Sequence, residues 1–364
     1  MKIAIFWYTL TGYLNACLKA LNECPGVEIF VAHKSGDPQA PFDNAQFGWI
    51  ANQLYWRSAR ELSGLRAAVE EFNPDAIVIC GWVVKEYMTI SRAYKGKAIR
   101  IMTMDNNWLN TPKQRVAALI SSFYIQPYAD GAWVPGERQS YFARRLGFEQ
   151  EDIMRGSYSC DQDAFAQVFK ERLRNHAAIP RRFLFVGRFV EEKGIRMLVE
   201  AYQEYRNRSA DPWPLLCCGN GPLEHLLLNQ SGIQVMGFVQ PADLPKTFAE
   251  SGCFVLPSTF EPWGVVVHEA ASAGLTILAS ERVGSTPHLV QYNYNGYIFG
   301  ADNPSGLAAL MDRISKSSEA KLQSMSEASH KLSEQFVPSR WADSLIGFLV
   351  ERIDRNAEPT TTPS

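Results

Sequence analysis

The stretch RFLFVGRFVEEKG, residues 182–194, decides how the chain is divided. Its apolar run, rich in aromatic and β-branched residues, stops at Gly187, and a loop carrying Arg188 and Lys193 follows. A short continuous apolar run closed by glycine reads as a strand buried on both faces, the kind that parallel sheets use. The same strand-then-loop pattern continues downstream in LLCCGNG (215–221), IQVMGF (233–238), CFVLPS (253–258), LTILAS (275–280) and GYIFG (296–300). Upstream it occurs in KIAIFW (2–7), VEIFVAH (27–33), AIVICG (76–81), AIRIMTMD (98–105) and GAWVPG (131–136). Stretches of helical period, such as ARELSGLRAAVEEF, lie between these runs. Buried strands alternating with helices make an open parallel sheet.

Neither period holds over RGSYSCDQDAF (155–165), and the pattern restarts at 182. The expectation is an α/β chain of two Rossmann-like domains in tandem, one over residues 1–160 and one over 161–338. The run PSRWADSLIGFLVERI predicts an amphipathic helix, with 339–354 as its body, and the polar residues 355–364 read as a disordered tail.

Composition narrows the function classes. The chain has 364 residues, 46% hydrophobic and 20% charged, the balance of a globular enzyme. No apolar run approaches the roughly 20 residues of a membrane-spanning helix. The opening MKIAIFWYTL reads as a first strand and not as a leader, so residence in the cytoplasm is expected. A formal charge of -2 gives no support for a nucleic-acid partner. Residues 1–160 carry 17 basic and 15 acidic side chains, against 19 and 23 in the rest. That mild excess permits peripheral contact of the first half with an anionic membrane surface. The seven cysteines include no CxxC pair, and the histidines lack zinc-ligand spacing, so no metal is expected.

A parallel sheet opening the chain invites a dinucleotide reading. The first turn, WYTLTGYLNA, holds one glycine, Gly12, in place of GxGxxG, and the second strand ends VAHK with no carboxylate for a ribose. NAD or FAD is therefore not expected, and no cofactor is.

In open α/β sheets ligands collect beyond the carboxyl ends of the strands. There Arg188 and Lys193 can converge on a diphosphate, since arginine forks onto phosphate oxygens and lysine acts as a point charge. The GNGP turn with Gly219 reads as a helix start at Pro222 with amides facing a ligand. In TFEPWGVVVHEAASAG (259–274) a helix starting near Gly264 would aim the amides of Gly264, Val265 and Val266 into the same site. Glu261 precedes that helix and Glu269 lies within it; a carboxylate accepts from two sugar hydroxyls, so Glu269 suits a ribose and Glu261 a second sugar. Taken singly, each feature has an ordinary explanation as a solvated charge or a turn.

Taken together, these motifs resemble the retaining glycosyltransferases of family four, with Glu261 and Glu269 as their E-x7-E pair. The resemblance runs through VGRFVEEKG, CGNGP, VMGFV (235–239), VGSTPHLVQYNYNGYIF (283–299) and RWADSLIGFLVERI; it spans residues 182–354, while the first half matches in strand order and length only. It implies the GT-B architecture: two facing Rossmann-like domains, a central cleft, and a C-terminal helix returning to the first domain. It further implies that Arg188 and Lys193 neutralise the leaving diphosphate and that Glu269 holds the ribose. The backbone at Phe238 and Val239 would meet the base. Glu261 with the amides of Gly264 to Val266 would hold sugar and phosphates, without a metal. In the family the Asp-containing turn at 161–163 is structural, ending in a phenylalanine such as Phe165. Two departures stand out. The family's Gly-Gly-x-Pro-Glu loop is here Gly284, Ser285, Thr286, Pro287, His288, which loses the acid. A histidine that many members place after the fourth strand is replaced by Asp105.

Asp105, Asn106 and Asn107 follow a strand, where such groups can bind sugar hydroxyls or cap a turn. Trp7, Tyr8, Gly81, Trp82 and Trp108 also stand at strand ends, and as a group suggest an acceptor groove. Gly12 and Tyr13 are expected near the diphosphate, because a small residue lets backbone approach. The implied activity is transfer of a sugar from a nucleotide-sugar donor, a UDP-sugar first, to a hydroxyl of a glycan, lipid-linked or small-molecule acceptor, with retention. The alternatives are a GT-B epimerase or phosphorylase, or a catalytically silent binding protein.

Overall fold

A computed structural model describes residues 1–34 and 44–357. They form two compact units, residues 1–34, 44–159 and 338–357 in the first and 160–337 in the second.

The first unit is built on a parallel sheet of seven described strands, β1 (Lys2–Thr9), β2 (Glu28–Lys34), β3 (Asn52–Trp56), β4 (Ala76–Cys80), β5 (Ile99–Thr103), β6 (Gly131–Val134) and β7 (Ile153–Arg155). Their order is β3-β2-β1-β4-β5-β6-β7. Helices α1 (Gly12–Asn22), α2 (Leu65–Phe72), α3 (Lys85–Ala93), α4 (Pro112–Leu119), α5 (Ser121–Tyr124) and α6 (Glu137–Arg145) connect them. β1 is central, and Ile3 through Trp7 are buried, as a strand covered on both faces requires. Two strands were not anticipated, β3 (NQLYW) and β7 (IMR). Both are edges paired on one side only; β3 is mostly half-exposed and opens with Asn52 and Gln53, β7 is three residues long, and neither needs a strong apolar run. Within β5 the guanidinium of Arg100 is buried, donating to both oxygens of Asp130 at 2.6 and 3.0 Å and to the Pro127 carbonyl at 2.7 Å, so the charge is paired where it would otherwise be prohibitive.

The second unit holds six described parallel strands, β8 (Phe183–Val186), β9 (Leu215–Cys218), β10 (Ile233–Gly237), β11 (Cys253–Leu256), β12 (Thr276–Ser280) and β13 (Gly296–Phe299), in the order β10-β9-β8-β11-β12-β13. Its helices are α7 (Gln162–Arg174), α8 (Ile195–Arg208), α9 (Leu244–Ala249), α10 (Val265–Ser272), α11 (Thr286–Leu289), α12 (Pro304–Ser315) and α13 (Glu319–Ser333). The last helix, α14 (Pro338–Ala357), packs in the first unit against α1. Its Trp341 ring lies 4.6 Å from Trp133 and donates to the Ser157 carbonyl at 2.9 Å, and Leu345, Phe348 and Leu349 are buried with it. Each such side chain contributes roughly 1.5–3 kcal/mol of burial. Helix α14 takes in residues 355–357 of the expected tail, and the remainder of the tail lies outside the described residues.

Both sheets reverse their strand order beside the first strand of the unit, between β1 and β4 and between β8 and β11. Such switch points open a crevice at the carboxyl ends of the strands, where ligands bind.

Candidate active site

At the switch point of the second unit the loops after β8 and β11 are joined. Thr259 and Phe260 both donate their amides to the Glu192 carbonyl, at 2.9 and 3.3 Å. Gly194 closes the short 3-10 turn Glu191–Lys193 with φ +70, and a Cβ there would stand 2.0 Å from the Pro257 carbonyl oxygen. Only glycine tolerates both the backbone angle and the contact. The outcome is a direct ion pair between Lys193 Nζ and Glu261 Oε2, with both side chains largely buried. Glu261 also belongs to the β12 loop, through an isolated bridge to Val283 and the Gly284 amide donating to its carbonyl at 3.0 Å.

Helix α10 starts at this pair. Gly264 is its N-cap at φ +89, and a Cβ on it would meet the Glu261 Cγ at 3.1 Å, so the carboxylate lies over the start of the helix. The first backbone bond inside the helix is from Val267 to Gly264, 2.9 Å. The amides of Val265 and Val266 precede it and are left for solvent or a ligand, at the positive end of the helix dipole.

Glu269, one turn further along α10, is half-buried. Burial first, and then the charge of Asp161, push its carboxyl up to about 7. Asp161 caps α7, accepting from the Ala164 amide at 3.3 Å; Phe165 behind it is buried against Phe248. The neighbouring His268 is locked between the Cys160 amide, which donates to Nδ1 at 3.0 Å, and the Ser333 carbonyl. Burial lowers it to about 4, so it is neutral and holds α10 to the segment before α7 and to the end of α13.

A carboxyl that titrates near 7 when folded and near 4.5 when unfolded keeps its proton longer in the folded chain. Stability therefore falls as pH rises from about 4.5 to about 7 and is level above. Glu269→Gln is expected to raise Tm at pH 8, by about 2–4 °C for each kcal/mol relieved, and to leave it unchanged at pH 4.5. Parallel Tm-against-pH curves for the two proteins would refute this.

The remaining loops of the second unit are stitched to the same site. Gly187 donates to the Cys218 carbonyl at 3.0 Å, Phe189 to that of Asn220 at 2.7 Å, and Gly219 to that of Gly237 at 2.7 Å. Arg188 is thereby fixed in position between two bonded neighbours, and its side chain is exposed. Phe238 and Val239, both half-buried, follow directly on Gly237. One local expectation is corrected: no helix starts at Pro222. Gly219 and Gly221, at φ +144 and +152, make a tight turn against Gly187 and Phe189, followed by a 3-10 turn, Glu224–Leu226. At His288 the ring packs 5.5 Å from Trp263 and 5.8 Å from Phe336.

In the first unit the switch point holds a cavity of about 520 Å³ lined by Trp7, Tyr8, Gly81, Trp82, Asp105 and Tyr158, among others. Asp105 accepts from the Tyr158 hydroxyl at 3.1 Å, and the Tyr158 ring meets Tyr13 edge-on at 5.3 Å. Burial raises both phenols far above their ordinary range, so they remain protonated donors. Asn106 is exposed and lines the cavity. Asn107 does not join it: its side-chain oxygen is buried and accepts from Gln139 at 2.8 Å. Trp108 likewise packs, on Phe142 at 5.6 Å and under Arg145 at 5.0 Å. Gly12 opens α1, next to Tyr13. Tyr158, and Thr103, which also lines the cavity, were missed in the sequence; the first lies in the stretch read as an inter-domain joint, and only the fold brings it beside Asp105.

Residues 169–332, within the second unit, match the model of the family described as glycosyl transferases group 1. Curated relatives include an uncharacterised glycosyltransferase of Methanocaldococcus jannaschii, 25% identical over 236 residues, 63% of this chain and 50% of that protein. Spore coat protein SA of Bacillus subtilis is 28% identical over 196 residues, 50% of this chain and 52% of that protein. The chain thus spans about half the length of these relatives. Among solved structures, HepE of Anabaena in complex with UDP aligns with a TM-score of 0.73 at 14% identity, covering 96% of this chain and 99% of that one. Sucrose-phosphate synthase of Thermosynechococcus elongatus aligns at 0.72 with 14% identity, covering 98% and 100%. At such identities the likeness is one of fold: the α/β GT-B fold, with two Rossmann-like domains.

Proposed function

We propose that the chain is a retaining glycosyltransferase that moves a sugar from a nucleoside-diphosphate sugar, a UDP-sugar, to an acceptor hydroxyl without a metal ion, in the cytoplasm. The observation that carries this reading is the meeting of Lys193 and Glu261 at the β8/β11 switch point, over the free amides of α10. Without ligand the two charges neutralise each other. A donor entering between them gives Lys193 a diphosphate and Glu261 a sugar hydroxyl, so neither charge is left buried and unpaired. Arg188 and the amides of Val265 and Val266 complete the cradle for the phosphates, and Glu269 accepts from the ribose. In the reaction the bond between the anomeric carbon and the phosphate oxygen breaks, with its electron pair going to the diphosphate. The acceptor oxygen bonds to the same carbon on the same face and gives its proton to the leaving phosphate. Cations and amides aimed at the charge that develops there supply the rate enhancement. The aromatic cavity of the first unit, with Asp105 held by Tyr158, receives the acceptor.

Thermal shifts with UDP, GDP, ADP and their sugars test the donor. A ligand at one hundred times its Kd adds roughly 2.7 kcal/mol, and UDP compounds are expected to give the largest rise in Tm. No shift with any nucleotide would sink the reading.

A further inference from the structure

The cavity at the switch point of the first unit continues into a second one. Trp82 and Asn106 line both, the space of about 520 Å³ beside Asp105 and a space of about 640 Å³ next to it. Their chemistry differs. Among the described residues, Asp105 is the only charged group lining the first. The second sets Lys85 and Lys113 against the apolar side chains of Met88, Ile125, Phe142 and Leu146, and no carboxylate lines it. Neither lysine takes part in an ion pair among the described residues. Lys85 is also the first residue of α3, whose N-cap, Val84, has no side-chain group to satisfy the opening amides, so the positive end of the helix dipole adds to the ammonium.

Two cations without a partner balance a dianion, and ammonium groups act on a phosphate as point charges. The walls select the body that carries it. Trp82, Tyr124, Tyr128 and Phe142 bring four rings to the lining, and a ring gains from offset or edge-on contact with another ring beyond the area it buries. The thioether of Met88 also favours an aromatic neighbour. On the far side of Trp82 the groups change to ones that suit hydroxyls, with the Asp105 carboxylate accepting and the Asn106 amide able to donate. Both cavities lie in the first unit, outside the family-matched residues 169–332, so the family match does not assign their ligand.

We propose that the acceptor is an aryl phosphate with a hydroxylated arm: its phosphate and ring occupy the cavity of Lys85 and Lys113, and its hydroxyl reaches past Trp82 to Asp105. The inference rests on the transferase reading, which makes the occupant an acceptor, so the test reads binding alone, by calorimetry on the full chain with UDP titrated in parallel. The probe is 2-naphthyl phosphate. It is expected to bind about tenfold or more tightly than inorganic phosphate, 2-naphthoate or octyl phosphate, the scale of a hydrogen bond to a charged group. K85Q/K113Q is expected to lose about that factor, and I120S/Y124S to weaken binding as well. Both variants should keep the wild-type Tm and UDP affinity, because all four side chains are exposed. The proposal is overturned if 2-naphthyl phosphate does not bind, if any of the three comparison anions binds as tightly, or if both variants keep wild-type affinity for it. Failure of the naphthyl probe with UDP still bound overturns this inference and leaves the transferase reading standing. Failure of every nucleotide removes the transferase reading, and a naphthyl phosphate site would then have no acceptor role.

Discussion

Lys193→Ala is expected to lower kcat by two or more orders of magnitude, the scale seen when one electrostatic group at a developing charge is removed. In the proposed reaction the lysine meets the diphosphate as it acquires its leaving charge, and among the described residues no second cation pairs with Glu261. The same substitution leaves a largely buried carboxylate unpaired, so Tm is expected to fall as well. The two effects separate by normalising turnover to folded protein and repeating the measurement in K193A/E261Q, which restores charge balance. Recovery of Tm in K193A/E261Q, with a kcat well below that of E261Q alone, supports the catalytic role of the lysine. If kcat per folded molecule stays at the wild-type value in K193A, the lysine is a structural partner of Glu261 only.

Gly194→Ala is expected to destabilise the second unit by roughly 2–6 kcal/mol, the combined range for a forced left-handed backbone and an overpacked contact. Its Cβ would stand 2.0 Å from a backbone oxygen, that of Pro257, which cannot rotate away as a side chain would. The relief available is separation of the β8 loop from the β11 loop, and that parts Lys193 from Glu261. Loss of stability and of UDP binding should therefore appear together in denaturation and titration. An alanine variant with wild-type Tm would show that the close approach of these loops does not hold in solution.

The strands bearing the site were legible because each is a local apolar run closed by a turn: FLFV before Gly187, CFVL before Pro257 and TILA before Ser280. The start of α10 at Gly264 was legible for a similar reason, since a glycine before VVVHEAAS marks a change of backbone angle. Edge strands β3 and β7 were not, because an edge needs one partner and one covered face, which leaves little hydrophobic signal. The turn at Pro222 was misjudged because glycines at 219 and 221 answer to carbonyls of a different loop, those of Gly187 and Phe189. Asn107 and Trp108 have the composition of a sugar site, yet they face Gln139 and Phe142. Which way a loop side chain turns depends on neighbours that the local sequence does not contain.

By itself the sequence determined the two sheets, the loops that follow their strands, and the stock of cations, carboxylates and glycines in those loops, because burial pattern and backbone permissiveness are properties of short segments. The tertiary structure alone decided which loops are neighbours. Lys193 and Glu261 are 68 residues apart and meet because β11 pairs with β8 on the side opposite β9. The raised carboxyl of Glu269 likewise arises from burial and from Asp161 on another helix. A charge's environment is set by packing between distant segments, and that is decided only when the chain has folded.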